Sequence, residues 1–174
     1  MQLWIFFGPS GAGKSFVARV CAEEFGFEAY DGDLDLTPAM RAALREQRVF
    51  TLEMRAEFVT VLVRRIRERS SELERRQVPG LAVSQGLFKI RDRERLQSEL
   101  PAARLIWVRA SGALIEARLL RRTEHVASSD YARLVNGGFE PPDPNTSCPV
   151  LDNDGDRARV VQQLRSMRPP FPHR

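Results

Sequence analysis

The chain has 174 residues, of which 43% are hydrophobic and 29% are charged, a composition typical of one folded globular domain rather than a disordered segment. It carries a net charge of +4 and two cysteines, Cys21 and Cys148, too few for a disulfide framework or a four-cysteine metal site. No apolar run approaches the roughly 18 residues of a membrane-spanning helix, and the first apolar run lacks the basic flank of a signal peptide. We therefore expect a cytoplasmic protein without a membrane partner, whose basic surface suits anionic ligands.

Apolar runs and amphipathic segments alternate along the chain. Five short apolar runs predict strands that are buried on both faces, at residues 3–7, 27–30, 81–84, 105–108 and 149–151. Helical spacing of apolar residues predicts helices at 14–25, 38–46, 52–74, 91–99, 113–122 and 157–165. This alternation predicts an α/β fold with a parallel sheet, in one domain at 1–168 followed by a Pro-rich tail at 169–174. Ligands of such sheets bind at the carboxyl ends of the strands.

A glycine-rich segment joins the first predicted strand to the first predicted helix. Its sequence GPSGAGKS, at residues 8–15, fits the phosphate-binding pattern G-x-x-x-x-G-K-[ST] in the strand–loop–helix context that the pattern requires. Glycines let backbone N–H groups approach a phosphate, Lys14 can bridge the β- and γ-phosphates, and the Ser15 hydroxyl can coordinate Mg²⁺. We therefore predict an ATP site formed by Gly8, Ser10, Gly11, Ala12, Gly13, Lys14, Ser15 and Phe16.

Two aspartates follow the second predicted strand, in the sequence Asp31-Gly32-Asp33. In a parallel sheet of this kind, that strand end lies beside the phosphate loop. One carboxylate can hold Mg²⁺ and the other can orient a substrate hydroxyl and accept its proton, so we assign Asp31 to the metal and Asp33 to the acceptor. The third strand ends in Ser84-Gln85-Gly86 without a Walker B aspartate, which argues against motor ATPases and GTPases.

Arginines cluster at the end of the helix predicted at 113–122, at Arg118, Arg121 and Arg122. We predict that they begin a mobile lid at about 118–138, whose guanidinium groups neutralise the transferring phosphoryl group and exclude water. The alternative is a helix C-terminus that carries arginine because of its dipole. His125 follows in the same segment, and we assign it no catalytic role.

These motifs resemble those of the gluconokinase group of small P-loop kinases, which are relatives of shikimate, adenylylsulfate and nucleoside monophosphate kinases. The segment at 8–15 is similar to the family's G-x-S-G-x-G-K-S, and Asp31-Gly32-Asp33 to its D-G-D. Arg118, Arg122 and His125 match the spacing R-x-x-x-R-x-x-H of its lid, and residues 139–141 its F-E-x-P segment. The resemblance extends from residue 3 to about residue 165.

The resemblance implies a five-stranded parallel sheet of order 2-3-1-4-5 and transfer of a phosphoryl group from MgATP to a hydroxyl of a small molecule. It implies that Lys14 and Arg122 stabilise the transferring group, that Arg118 flanks the adenine, and that the acceptor contacts Asp33, Arg55, Gln85 and Gly86. The acceptor itself is left open. Residues 34–38, directly after Asp33, contain no histidine, and the lysine of the family's C-S-A-L-K segment is missing, with Lys89 displaced along the chain.

Two other functions stay open. The arginines of the helix at 52–74 suit a kinase that acts on a nucleotide or nucleic-acid end, although a short arginine-rich helix face is more often simply solvated, so we expect no nucleic-acid partner. A regulator that binds ATP without turnover is the second alternative, because the acceptor residues differ from those of the family. We expect a monomer or a homodimer.

Overall fold

A computed structural model describes residues 1–121 and 129–167. Its centre is a sheet of five parallel strands in the order β2-β3-β1-β4-β5, which confirms the predicted fold class and strand order. The strands are β1 (Gln2–Phe7), β2 (Glu28–Asp31), β3 (Gly80–Ser84), β4 (Ala103–Arg109) and β5 (Val150–Asp152).

The central strand β1 is apolar along its length because helices cover both faces of the sheet. These helices are α1 (Lys14–Phe25), α2 (Pro38–Arg45), α3 (Leu52–Arg75), α4 (Ile90–Glu99), α5 (Gly112–Leu120), α6 (Ser129–Asn136) and α7 (Arg157–Met167). A short 3₁₀ helix, Gly32–Asp35, directly follows β2. No helix of the described residues has the length and apolar character needed to cross a bilayer.

Two apolar cores lie on the two faces of the sheet. On one face α1 and α7 pack around Trp4, Phe6 and Leu164. On the other face α3 and α4 pack around a cluster that includes Leu62 and Ile66. This arrangement explains the long predicted helix at 52–74, whose apolar stripe covers the sheet while its arginines face outward.

The N-terminal ends of α2 and α3 are fixed by threonine caps. The Thr37 hydroxyl accepts a hydrogen bond from the Met40 N–H at 3.3 Å, and the Thr51 hydroxyl accepts one from the Met54 N–H at 3.3 Å. Such caps satisfy N–H groups that have no partner within the helix. They set where the helices beside β2 and β3 begin, and therefore the position of the loops between them.

The prediction was wrong about the segment before β5, where no helix was expected. Residues Ser129–Asn136 form α6, with Tyr131 and Ala132 buried. Its spacing of Tyr131, Leu134 and Val135 is the signal that was missed, because a two-turn helix carries too few apolar positions to stand out from a loop.

The helix predicted at 113–122 is α5, which ends at Leu120. Arg122, His125 and the rest of segment 122–128 of the predicted lid, together with the tail at 169–174, lie outside the described residues.

Both cysteines are free thiols, as the sequence predicts. Cys21 is fully buried within α1. Cys148 is half-buried against the α3 side of the core. Burial raises the pKa of the Cys148 thiol, so this side chain behaves as a small apolar group.

Candidate active site

The segment at 8–15 forms a loop between β1 and α1, at the carboxyl edge of the sheet. Gly13 is the residue before α1 and has a backbone φ of +94°. A Cβ atom at this position would overlap the side-chain amide of Asn153. Only glycine therefore fits, because the backbone conformation is left-handed and the space is already filled.

The carbonyl groups of the loop accept hydrogen bonds from side chains outside the loop. Asn153, just after β5, donates a hydrogen bond from Nδ2 to the Ala12 carbonyl at 2.8 Å. Arg118, from α5, donates to the carbonyls of Gly11 at 3.2 Å and Ala12 at 3.1 Å, and to that of Asn153 at 3.0 Å. These bonds set the orientation of the loop's peptide groups, which is what a phosphate-binding loop built on backbone N–H groups requires.

The oxygen groups expected to hold a metal lie on neighbouring strand ends. Ser15 Oγ is 3.3 Å from the hydroxyl of Ser84, at the end of β3. Ser84 in turn is the register partner of Asp31 on β2. Oxygen ligands of this kind suit Mg²⁺ when phosphate oxygens and water complete its coordination. Among the described residues there is no cluster of three acidic, histidine or cysteine side chains that would hold a metal without a nucleotide.

Asp33 is held in place from two directions. Its N–H donates a hydrogen bond to Asp31 Oδ1 at 3.0 Å. Its Oδ1 accepts a hydrogen bond from Gln85 Nε2 at 2.9 Å, while the amide oxygen of Gln85 accepts one from the Gly86 N–H. Gln85 is only 7% exposed, so its amide has little freedom to turn and keeps the Asp33 carboxylate in one position.

Arg55, the predicted acceptor residue on α3, is already engaged within the protein. It donates a hydrogen bond to the Phe50 carbonyl at 2.6 Å, and its Nε lies 3.3 Å from a carboxylate oxygen of Asp92 on α4. Burial raises the pKa of Asp92, and the positive charge of Arg55 partly offsets that effect. Arg55 and Asp92 together carry little net charge.

One cavity of about 800 Å³ joins these groups. Lys14 and Ser10 of the phosphate loop line it on one side, and the Lys14 ammonium donates a hydrogen bond to the Pro9 carbonyl at 2.9 Å. The other predicted residues that line it are Asp31, Asp33, Arg55, Gln85 and Gly86. Residues far apart in the chain are therefore brought to a single site, as the sequence analysis expects for strand ends of a parallel sheet.

Helix α6 covers this cavity. The side-chain amide of Asn136 accepts a hydrogen bond from the Ser10 N–H at 2.8 Å and donates one to the Ser10 carbonyl at 3.0 Å. Near the other end of the helix, the Tyr131 hydroxyl donates to the Arg48 carbonyl at 3.0 Å. The helix is thus attached both to the phosphate loop and to the connection between α2 and α3.

Phe16 and Arg118, predicted to contact the nucleotide, take positions beside the loop. Phe16 is half-buried and packs against the core on the α1 side of the sheet, and it is not among the residues that line the cavity. The Arg118 guanidinium donates hydrogen bonds to the carbonyls of Gly11 and Ala12 in the loop. Arg118 supports the loop in this structure, and a contact with adenine stays a prediction for both residues.

The chain is similar in structure to several solved kinases. No protein-family model and no curated protein matches the chain. A sugar kinase from a Janibacter species superimposes with a TM-score of 0.78 at 20% sequence identity, covering 95% of this chain and 93% of that chain. A gluconokinase from Sinorhizobium meliloti gives a TM-score of 0.74 at 21% identity, covering 93% and 88%. An APS kinase from Mycobacterium tuberculosis in complex with AMPPNP and APS gives 0.56 at 21% identity, covering 94% and 98%.

The chain has the fold of the small P-loop kinases. The resemblance to the gluconokinase group is confirmed at the level of the fold. Within this kinase fold, four residues of the site were not found by sequence reasoning, namely Ser84, Asp92, Asn136 and Asn153. Ser84 and Asn153 share one usable signal, since each is a polar residue at or just after the carboxyl end of a strand. Asp92 and Asn136 have no such signal, because only the packing of their helices brings Asp92 to the cavity and Asn136 to Ser10.

Proposed function

We propose that the protein is an ATP-dependent phosphotransferase that moves the γ-phosphoryl group of MgATP to a hydroxyl of a small molecule. One observation carries the proposal: Lys14 of the phosphate loop and the Asp33 carboxylate line the same cavity. Phosphoryl transfer needs an electrostatic clamp on the phosphate and a group that orients the attacking hydroxyl. The likeness of the fold to kinases supports the same conclusion.

In the proposed reaction, the acceptor hydroxyl donates a hydrogen bond to Asp33. Its oxygen attacks the γ-phosphorus as its proton passes to the carboxylate, and the bond from that phosphorus to the β–γ bridging oxygen breaks, so that ADP leaves. Lys14 exchanges the Pro9 carbonyl for phosphate oxygens and stabilises the charge that develops on them. Arg122 is proposed to act on the same charge.

Gln85 is the positioning residue for this step. Its amide nitrogen donates a hydrogen bond to Asp33 Oδ1, and its amide oxygen accepts one from the Gly86 N–H. The Asp33 carboxylate is thereby held in one orientation, and it is the proposed acceptor of the substrate proton. Pre-orientation of this kind raises the rate, because less motion is needed to reach the reactive geometry.

Ser15 and Asp31 are proposed to hold Mg²⁺ together with the nucleotide phosphates, with Ser84 adjacent to Ser15. A bound Mg²⁺ supplies charge neutralisation on the β- and γ-phosphates. Arg118 and Asn153 keep the loop in the conformation that receives these phosphates, because they hold the carbonyls of Gly11 and Ala12 on its opposite side.

The paired arginines of α3 support a small-molecule acceptor rather than a nucleic-acid end. Arg69 lies 2.8 Å from Glu28 and Arg65 lies 3.4 Å from Asp35, measured between charged atoms. Arg67 lies 3.9 Å from Glu99 and Arg76 lies 3.6 Å from Glu28. A surface that binds nucleic acid relies on positive charges that phosphates can neutralise, whereas three carboxylates already lie beside these four arginines.

The test is an ADP-release assay over a panel of sugars, sugar acids, nucleosides and simple alcohols, with Asp33→Asn as the test variant. We expect Asp33→Asn to bind ATP normally and to lose transfer by about a hundredfold or more, because general-base catalysis is removed. Asp143→Asn, in an exposed loop, is the matched control and keeps the parent rate. ATP binding without transfer to any compound would favour the regulator, and full activity of Asp33→Asn would place the base elsewhere.

A further inference from the structure

The acceptor half of the cavity is mostly apolar. Thirteen of the twenty-five lining residues are aliphatic or aromatic. Most of them come from four places in the fold: α2, α3, the segment after β3, and α6. The others are Leu36, before α2, and Val49 and Phe50, between α2 and α3. Examples from the four places are Met40, Phe58, Leu87 and Val135. A cavity lined in this way binds ligands mainly by removing apolar surface from water.

Two basic side chains of the same half are paired with carboxylates. Arg55 is paired with Asp92 at 3.3 Å, and Lys89 is paired with Glu140 at 3.0 Å. Arg41 donates hydrogen bonds to the carbonyls of Leu34 and Leu36. Arg41 and Arg45 both lie on the exposed side of α2, at the rim of the cavity. A carboxylate that bound Arg55 or Lys89 would have to displace Asp92 or Glu140 from its partner.

The groups of the proposed reaction lie at the other end of the cavity. Asp33 and Gln85 lie there beside Lys14 of the phosphate loop. From this end the apolar wall extends along Phe58 and Val59 of α3 and under Tyr131 of α6. The cavity therefore has one place for a hydroxyl and a long wall for a carbon skeleton.

We propose that the acceptor is an uncharged alcohol with an aromatic or branched apolar body, in contrast to a polyhydroxylated sugar acid. This inference rests on the proposed function and names its substrate class. The hydroxyl lies against Asp33, and the apolar body lies between α2, α3 and α6. A sugar acid would lose the water bound to its hydroxyl groups and carboxylate without gaining enough partners on this wall.

The experiment compares two sets of compounds in the same assay. The first set is benzyl alcohol, phenylethanol and naphthylmethanol, and the second is gluconate, glucose and shikimate. ADP release and mass spectrometry of the product measure transfer. Calorimetry with a non-hydrolysable ATP analogue measures binding of each compound independently of transfer.

Leu44→Gln is the test variant, because Leu44 lines the cavity on α2 and is half-buried. We expect it to raise KM for the apolar alcohols by about tenfold, as expected for polar substitution in an apolar pocket, and to leave KM for ATP unchanged. Leu52→Gln, an exposed leucine of α3 that does not line the cavity, is the matched control. Asp92→Asn leaves the positive charge of Arg55 uncompensated, and we expect it to improve the binding of gluconate relative to the parent protein.

Preferential transfer to, or binding of, the apolar alcohols that Leu44→Gln weakens supports the inference. Preferential transfer to gluconate, glucose or shikimate overturns the acceptor class and leaves the phosphotransferase intact. Binding of the apolar alcohols without transfer supports the acceptor class and overturns the proposed function. If no compound of either set binds, or if Leu44→Gln and Leu52→Gln behave alike, the acceptor class is overturned.

Discussion

The phosphate end and the acceptor end of the cavity are built in different ways. The phosphate end is a loop of the main chain, which Asn153 and Arg118 hold by its carbonyl groups. The acceptor end consists of side chains from helices that are distant in sequence. The first presents backbone N–H groups, which are the same in every protein, and the second presents side chains, which differ from one protein to another.

This difference explains why the phosphate-loop sequence resembles that of a known family and the acceptor residues do not. A triphosphate imposes one geometry on the backbone that binds it, so the loop sequence is restricted. An acceptor imposes no such geometry on the helices around it, and side chains there change without altering the fold. The phosphate end therefore indicates the type of reaction, and the acceptor end indicates the substrate.

The largest effect is expected from Lys14→Ala at the phosphate end. This change removes the ammonium that we propose stabilises the transferring phosphoryl group, so we expect kcat to fall by about a hundred- to a thousandfold. Steady-state kinetics with ATP measures it. The control is Lys89→Ala, which removes the other lysine that lines the cavity, one that is paired with Glu140, and it should change kcat by less than about threefold. Equal losses in the two variants would contradict the distinction between the two ends.

Gly13→Ala should destabilise the phosphate loop. The added methyl group meets the amide of Asn153 at a backbone φ of +94°, and we expect a loss of about 1–3 kcal/mol in the free energy of unfolding, together with weaker ATP binding. Chemical denaturation and calorimetric titration measure the two effects. Gly112→Ala is the control: a Cβ there meets nothing within 4 Å, and it should be neutral or stabilising by about 0.5 kcal/mol. A Gly13→Ala protein as stable as Gly112→Ala would show that the loop tolerates the side chain.

The core on the α3 side of the sheet, next to the acceptor end, should respond to alkaline pH through Tyr30 on β2. Burial, followed by its hydrogen bond to Asp35, raises the pKa of Tyr30 to about 12, and the Arg69 guanidinium lies 4.1 Å from its ring centroid. Because the folded-state pKa lies above the ordinary value of about 10, the stabilisation is complete below about pH 10 and is lost as the pH rises towards about 12. We expect a loss of about 2 kcal/mol across that window.

Denaturant unfolding of the parent protein and of Tyr30→Phe between these two pH values measures this effect. Tyr30→Phe has no hydroxyl to titrate, so its stability should fall less steeply with pH than that of the parent. Parallel curves for the two proteins would mean that Tyr30 ionises equally easily in the folded and unfolded chain.

The smallest effect is expected from Asn136→Ala, at the contact between the two ends. It removes the two hydrogen bonds between α6 and Ser10, which together contribute about 1 kcal/mol to the attachment of the helix. We therefore expect KM for the acceptor to rise about fivefold. Amide hydrogen exchange of α6 should become faster. Asn145→Ala, whose side chain bonds only within its own loop to Asp143, is the control. Unchanged exchange in α6 would show that Asn136 does not hold the helix on the loop.

The sequence by itself determined the type of fold and the phosphate loop. Both are read from local patterns: alternating apolar segments for the sheet and its helices, and eight consecutive residues whose backbone must meet a phosphate. Asp33 and Gln85 were found in the same way, because each follows a predicted strand and the carboxyl ends of parallel strands meet at one edge.

Only the tertiary structure decided what surrounds these residues. Asn153 is 141 positions from the carbonyl that it holds, and Asn136 is 126 positions from Ser10. The pairing of Arg55 with Asp92 joins two helices, and α6 owes its place to contacts at both of its ends. Such contacts depend on how whole elements pack, and packing is a property of the assembled chain that no short stretch of sequence encodes.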